Sequence, residues 1–126
     1  MSFESNEDPD DPLVGIKIEN AGPGVARLKD FTYYVDRKPV GDIEDAIDFG
    51  KLEEVGYFEF NDDDTLAVGQ QQWLLHMGTK GKGKVEEKRR KDFFDFIDHH
   101  LGIEVQVCSV VSGKCQTLCS TDNWCK

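Results

Sequence analysis

Apolar and polar positions alternate along much of this chain with the period of two that marks half-buried strands. Val14, Ile16 and Ile18 interleave with Gly15 and Lys17, which predicts a short strand with one apolar face. Asn20-Ala-Gly-Pro-Gly24 then interrupts the pattern with strong turn chemistry. From Val25 to Asp36 the extended pattern resumes through Leu28, Phe31, Tyr33, Tyr34 and Val35, aromatic and β-branched positions that favour strands. These two segments are expected to pair across the glycine-rich loop. Val55 to Phe60 reads as another strand, Asn61 to Asp64 as a turn, and Thr65 to Met77 as one or two strands carrying Leu66, Val68, Trp73, Leu74 and Leu75. Near the end, Ile103, Val105 and Val107 alternate with Glu104 and Gln106, Ser112-Gly113 marks a hairpin, and Gln116 to Trp124 returns beside it.

Two stretches depart from that period. Asp42 is a good N-cap, Glu44 and Asp45 suit a first helical turn, and Ile43, Ala46, Ile47 and Phe49 form a helical stripe, predicting a short helix at about 42–54. Phe93, Ile97 and Leu101 are four apart, widened by Phe94 and Phe96, and predict a longer helix over 85–101 that Gly102 ends. The pattern is therefore mainly β, a β-sandwich with helical insertions at about 42–54 and 85–101. Phe31, Tyr33, Val35, Trp73, Leu75, Phe93 and Ile97 are the expected core. Residues 1–12 read by composition as a disordered acidic tail or linker, residues 13–126 as one domain, and Gly78 to Lys84 as a flexible basic loop.

Charge narrows the partners. The 126 residues carry a net charge of −10, which repels phosphate backbones, so nucleic-acid binding is not expected. Anionic lipid is disfavoured on the same ground. No apolar run approaches the length needed to cross a bilayer. The first residues have neither basic nor apolar stretches, so no signal peptide is read there. A cytosolic protein, or one whose leader or anchor lies upstream, are the two expectations.

The four cysteines, Cys108, Cys115, Cys119 and Cys125, all fall near the C-terminus. In a hairpin closed around residues 110–113, Cys108 and Cys115 lie opposite one another at disulfide reach, and Cys119 could bond Cys125. Their spacing departs from the paired knuckles of zinc sites, although free thiols and a metal site remain the alternatives. Disulfides imply an oxidising compartment, free thiols a reducing one. His99-His100 suits a helix C-terminus, where unsatisfied carbonyls favour cations. Asn61 to Asp64 lacks the glycine and terminal glutamate of a calcium loop. Seven of the fifteen cationic residues fall between Lys80 and Lys91, a cluster read as a solvated loop and helix face. No catalytic constellation, cofactor motif or metal-ligand set stands out, so no enzyme activity is expected.

Asn20-Ala-Gly22-Pro23-Gly24-Val-Ala26, with Asp36 ten residues on, and Cys108-Ser-Val-Val-Ser-Gly-Lys-Cys115 together resemble a pattern in small domains of uncharacterised bacterial proteins. Domains of that family are often found just after a membrane anchor, on the non-cytoplasmic side. This chain has Arg37-Lys38 at the turn, no aromatic residue before Cys108, and Gln116 in place of the usual Trp. The resemblance implies an immunoglobulin-like sandwich in which Asn20, Gly22, Pro23 and Gly24 shape a structural loop. It brings no catalytic residues. The functional expectation is a non-enzymatic, extracytoplasmic or membrane-associated interaction module with a protein partner. The alternative is a small acidic intracellular inhibitor or regulator bound to a basic protein surface.

Overall fold

The computed structural model describes residues 1–8, 11, 13–78 and 84–120, the side chains of 84–86 excepted. It is mainly β, with two antiparallel sheets enclosing one apolar cluster. The strands are β1 (Ser2–Asn6), β2 (Leu13–Glu19), β3 (Ala26–Val35), β4 (Lys38–Val40), β5 (Gly56–Tyr57), β6 (Asp64–Leu66), β7 (Gln71–Gly78), β8 (Leu101–Ser109) and β9 (Cys115–Cys119). The helices are α1 (Ile43–Gly50) and α2 (Lys84–His99). One sheet has the order β1-β2-β7-β5; the other runs β4-β3-β8-β9, with β6 also paired to β3.

β2 and β3 do not pair across the glycine-rich loop as their proximity in sequence suggests. They belong to different sheets, and Asn20–Gly24 carries the chain between them. Asn20 explains the crossing. It is only 2% exposed. Its side-chain Nδ2 donates to the carbonyls of Gly24 (3.0 Å) and Leu66 (2.8 Å), while its Oδ1 accepts from the Gly22 N–H (3.0 Å). Its backbone N–H donates to the Gln70 carbonyl at 3.0 Å, and its own carbonyl accepts from Gly69. A buried amide with every group satisfied locks the loop against the β6–β7 turn.

The first residues are not a tail. β1 pairs with β2 in a five-residue register from Ser2 opposite Glu19 to Asn6 opposite Gly15. Met1 and Phe3 pack against the core cluster. The acidic average of residues 1–12 masks Met1 and Phe3, which are apolar, because the carboxylates concentrate from Glu7 onward.

β3 spans the second sheet. One edge pairs with β8; its other edge is shared by β6, opposite Ala26–Leu28, and β4, opposite Tyr33–Val35. Between those halves the register shifts at a bulge where Asp30 adopts φ 55°, its N–H bonded to the Asp62 carboxylate at 3.2 Å. Asp36 and Arg37, both at positive φ, close the β3–β4 turn. In the other sheet Gly15 (φ 146°) lets β7 approach closely, since a Cβ there would collide with the Leu75 carbonyl oxygen.

Of the expected core, Tyr33, Val35, Leu75, Phe93 and Ile97 are buried, and Phe31 is partly buried against the cluster. Trp73 is not in it. β7 bulges beside Leu74, which turns Leu74 inward and leaves Trp73 half-buried with Lys17 Nζ 5.5 Å from its ring centre. The stretch 55–60 keeps only a two-residue strand. α1 is shorter than expected and stops at a Schellman motif, in which the Lys51 N–H reaches the Asp48 carbonyl and the Leu52 N–H that of Ile47. α2 ends at His99 and the chain enters β8 at Leu101, so Gly102 lies inside a strand. Most of the basic loop, at 79–83, and the expected return strand beyond Ser120 lie outside the described residues.

Candidate functional site

The register of β3 gives the sandwich two distinct ends. Val35 lies opposite both Lys38 and Leu101, so the β3–β4 turn and the α2–β8 junction meet at one end. There a groove of about 620 Å³ opens between α2 and the segment that leaves α1. Val35, Leu52, Val55, Met77, Phe93 and Phe96 supply its apolar lining, and Phe49 stands 69% exposed at its mouth. Asp36, Glu53, Asp92 and Asp95, with Lys51, Lys88, Arg89 and His100, give it a charged border of both signs.

Each wall has a local cause. Asp42 caps α1 by accepting from the Asp45 N–H at 2.9 Å, which aims the helix along its course. Gly50 brings its end against α2, because a Cβ there would lie 2.8 Å from the Phe96 ring. Arg89 on α2 bonds Glu54 at 2.8 Å, tying the helix to the 51–55 segment. Tyr57 donates to the Glu44 carboxylate across β5 and α1. That bond, with burial and nearby carboxylates adding to it, pushes the phenol up to about 12.

His100 closes the groove at the junction with β8. Its Nδ1 lies 2.6 Å from Asp36 Oδ1 and its Nε2 3.6 Å from Asp95 Oδ2, with the ring stacked on Phe96. The Asp36 N–H also donates to the His100 carbonyl at 2.9 Å. The hydrogen bond to Asp36 raises the imidazole above its ordinary value; burial opposes the rise, and the charges of Asp36 and Asp95 add to it. With carboxylates at both nitrogens, this histidine ties the turn to the helix, most strongly in its protonated form. His99, one residue earlier, is exposed.

The cysteine hairpin occupies the other end. Cys108 and Cys115 face each other in the β8–β9 register and are joined by a disulfide, with Cα atoms 4.0 Å apart. Cys119 is also disulfide-bonded. Cys125, and with it the Cys119–Cys125 pairing, lies outside the described residues. Asn20 is buried beside this end, whereas Gly22 and Gly24 are half-buried and Pro23 exposed. Asn61 to Asp64 spends its carboxylates on its own turn and on β3: Asp64 accepts from the Asn61 N–H, Asp62 from the Asp30 N–H, and Asp63 lies 3.8 Å from Arg27. No three His, Cys, Asp or Glu side chains among the described residues are grouped to hold a metal.

The groove was not legible beforehand. Its lining comes from β3, α1, the segment after it, β7 and α2, and no local period announces that these meet. The Asp36–His100 bond joins residues 64 apart. Only the two adjacent histidines pointed towards it.

Fold and sites thus define a two-sheet antiparallel β protein with a disulfide-clipped hairpin at one end and an amphipathic groove at the other. No family model, curated protein or solved structure matches the chain.

Proposed function

We propose that the chain is a non-enzymatic interaction module of an oxidising, extracytoplasmic setting, and that its groove receives an apolar side chain of a protein partner. The observation that carries this reading is the groove itself, with Phe49 exposed at its mouth and an apolar floor within a charged border. Charges of both signs on that border favour complementary polar residues flanking the inserted side chain. The Cys108–Cys115 bond supports the compartment, because such bonds persist where glutathione does not reduce them. A photo-crosslinking residue in place of Phe49, in the protein exported from its host cell, is expected to give a discrete adduct. The same residue in place of Asp62, exposed and outside the groove lining, is expected to give none. Equal labelling from both positions would remove the groove from the reading.

A second reading has its own support. Glu44, Asp45, Asp48, Glu53, Glu54, Glu59, Asp62 and Asp63 are all exposed, a supply of surface carboxylates suited to a basic protein partner. An acidic inhibitor of that kind acts inside the cell, carries reduced thiols there, and binds with an affinity that falls steeply with salt. Thiol alkylation of protein taken directly from its host separates the two.

A further inference from the structure

The hairpin end differs in charge from the rest of the molecule. Ala26 lies opposite both Leu66 and Ser109, so the loops before β3, after β6 and after β8 emerge together. Backbone bonds join them: the Val110 N–H donates to the Val25 carbonyl at 3.2 Å, and the Gly69 N–H to that of Asn20 at 2.6 Å. On these loops Val25, Val68, Val110 and Val111 are 39, 55, 46 and 90% exposed. None of the chain's 25 acidic residues falls in 20–29, 65–78 or 105–120, the segments that reach this end. Arg27, Lys29 and Lys114 do. The bordering carboxylates are Glu19, opposite Ser2 and Gln71, Asp64, opposite Leu28, and Asp63, 3.8 Å from Arg27.

We propose that this end rests on a lipid surface, with Val110 and Val111 entering the boundary between headgroups and acyl chains and Lys114 beside lipid phosphate. Net charge alone argues against such a partner; its distribution argues for it. Screening confines each charge to a range of about 8 Å at physiological salt, so the groups nearest the surface decide. Repulsion of the acidic remainder then orients the molecule with this end down. Protein hot spots draw on Trp, Tyr and Arg and are poor in Val, whereas a small aliphatic tip suits a hydrocarbon boundary. The disulfide and the turn hold the tip in shape: the Gly113 N–H bonds the Ser109 carbonyl at 2.8 Å, and the Ser109 N–H that of Lys114 at 2.9 Å. Little ordering is left to be lost on insertion. The inference does not depend on the groove reading, since the groove lies at the opposite end and stays in solvent.

Flotation of the intact, oxidised chain with vesicles tests it, using phosphatidylcholine alone and phosphatidylcholine mixed with phosphatidylglycerol. The wild-type chain is expected to float with both and more with the mixed vesicles. The double variant V110D/V111D is expected to lose at least about tenfold in partitioning, as two aliphatic side chains are denied burial. Lys114→Glu is expected to remove the preference for the mixed vesicles, while Phe49→Ser, at the far end, leaves flotation unchanged. Val111 is nearly fully exposed, so melting of the variants verifies that they fold. No flotation of the wild type, or flotation that V110D/V111D retains, overturns the proposal. Self-association that the same variant abolishes overturns it in favour of a second copy of this chain. Loss of flotation with Phe49 crosslinking intact would leave the groove reading standing by itself.

Discussion

Gly50 and Lys51 show how one residue's position can mislead. A glycine at the end of a helical stripe invites assignment as its left-handed cap, yet the left-handed residue is Lys51, at φ 52°. Gly50 is small for another reason, the Phe96 ring packed against it. The two sites should respond in opposite directions. Lys51→Gly relieves a backbone conformation that costs an L-residue about 1 kcal/mol, and is expected to raise stability by about that amount. Gly50→Ala pushes into a buried ring and is expected to cost about 1–3 kcal/mol. Urea denaturation of the pair measures both; equal and small effects would mean that the helix end shifts freely. His100 gives a second test at this scale. Its folded pKa is raised, so its contribution is complete below the unfolded value of about 6.5 and is lost as pH rises through the folded one. Asp36→Asn is expected to lower the pKa towards the ordinary value and flatten stability across that window. NMR titration of the ring protons checks it, and an unchanged midpoint would show that Asp95 alone suffices.

Among the elements, the β8–β9 hairpin is the most local and was the most legible. Alternation before Cys108, a Ser-Gly turn and a cysteine spacing that matches the loop all agree, and the bond forms where that agreement places it. Closing so short a loop stabilises by about 2.5 kcal/mol on the unfolded-state entropy account. Cys108→Ser combined with Cys115→Ser is therefore expected to lower Tm by roughly 10 °C at about 4 °C per kcal/mol for a chain of this size. A calorimetric shift near zero would mean that the hairpin holds without its bond. Most strands were equally readable, because a period of two is written into each segment. Their partners were not. The same alternation serves β2 whether it pairs with β3 or with β1 and β7, and only the buried amide of Asn20 and the bulge beside Leu74 decide between them. β1 was hidden for a related reason: five residues carrying a single large apolar side chain, Phe3, become a strand through an existing edge.

At the scale of the whole molecule, charge and core pull against each other. One contiguous cluster draws from both sheets and both helices. Around it 25 acidic residues face 15 basic ones, and eight exposed carboxylates lie between Glu44 and Asp63. Compact folding brings those charges together, so added salt is expected to stabilise the protein. Melting should rise between low and physiological ionic strength; a fall would show that ion pairs such as Arg89–Glu54 outweigh the repulsion.

The pairing of β3 with β8 sets the timetable for making this protein. Its partners run from Val35 with Leu101 to Ala26 with Ser109, so the longest strand finds its neighbour only after the 65 residues between Val35 and Leu101 have been synthesised. Until then β3 has just the short strands β4 and β6 along one edge. Translation therefore delivers a long, half-zipped ribbon that must stay soluble by its acidity alone. Residues 101–115 then bring both the missing strand and the cysteine clip. Such non-local closure belongs to folding in milliseconds to seconds, and a stopped-flow refolding rate in that range is the expected signature.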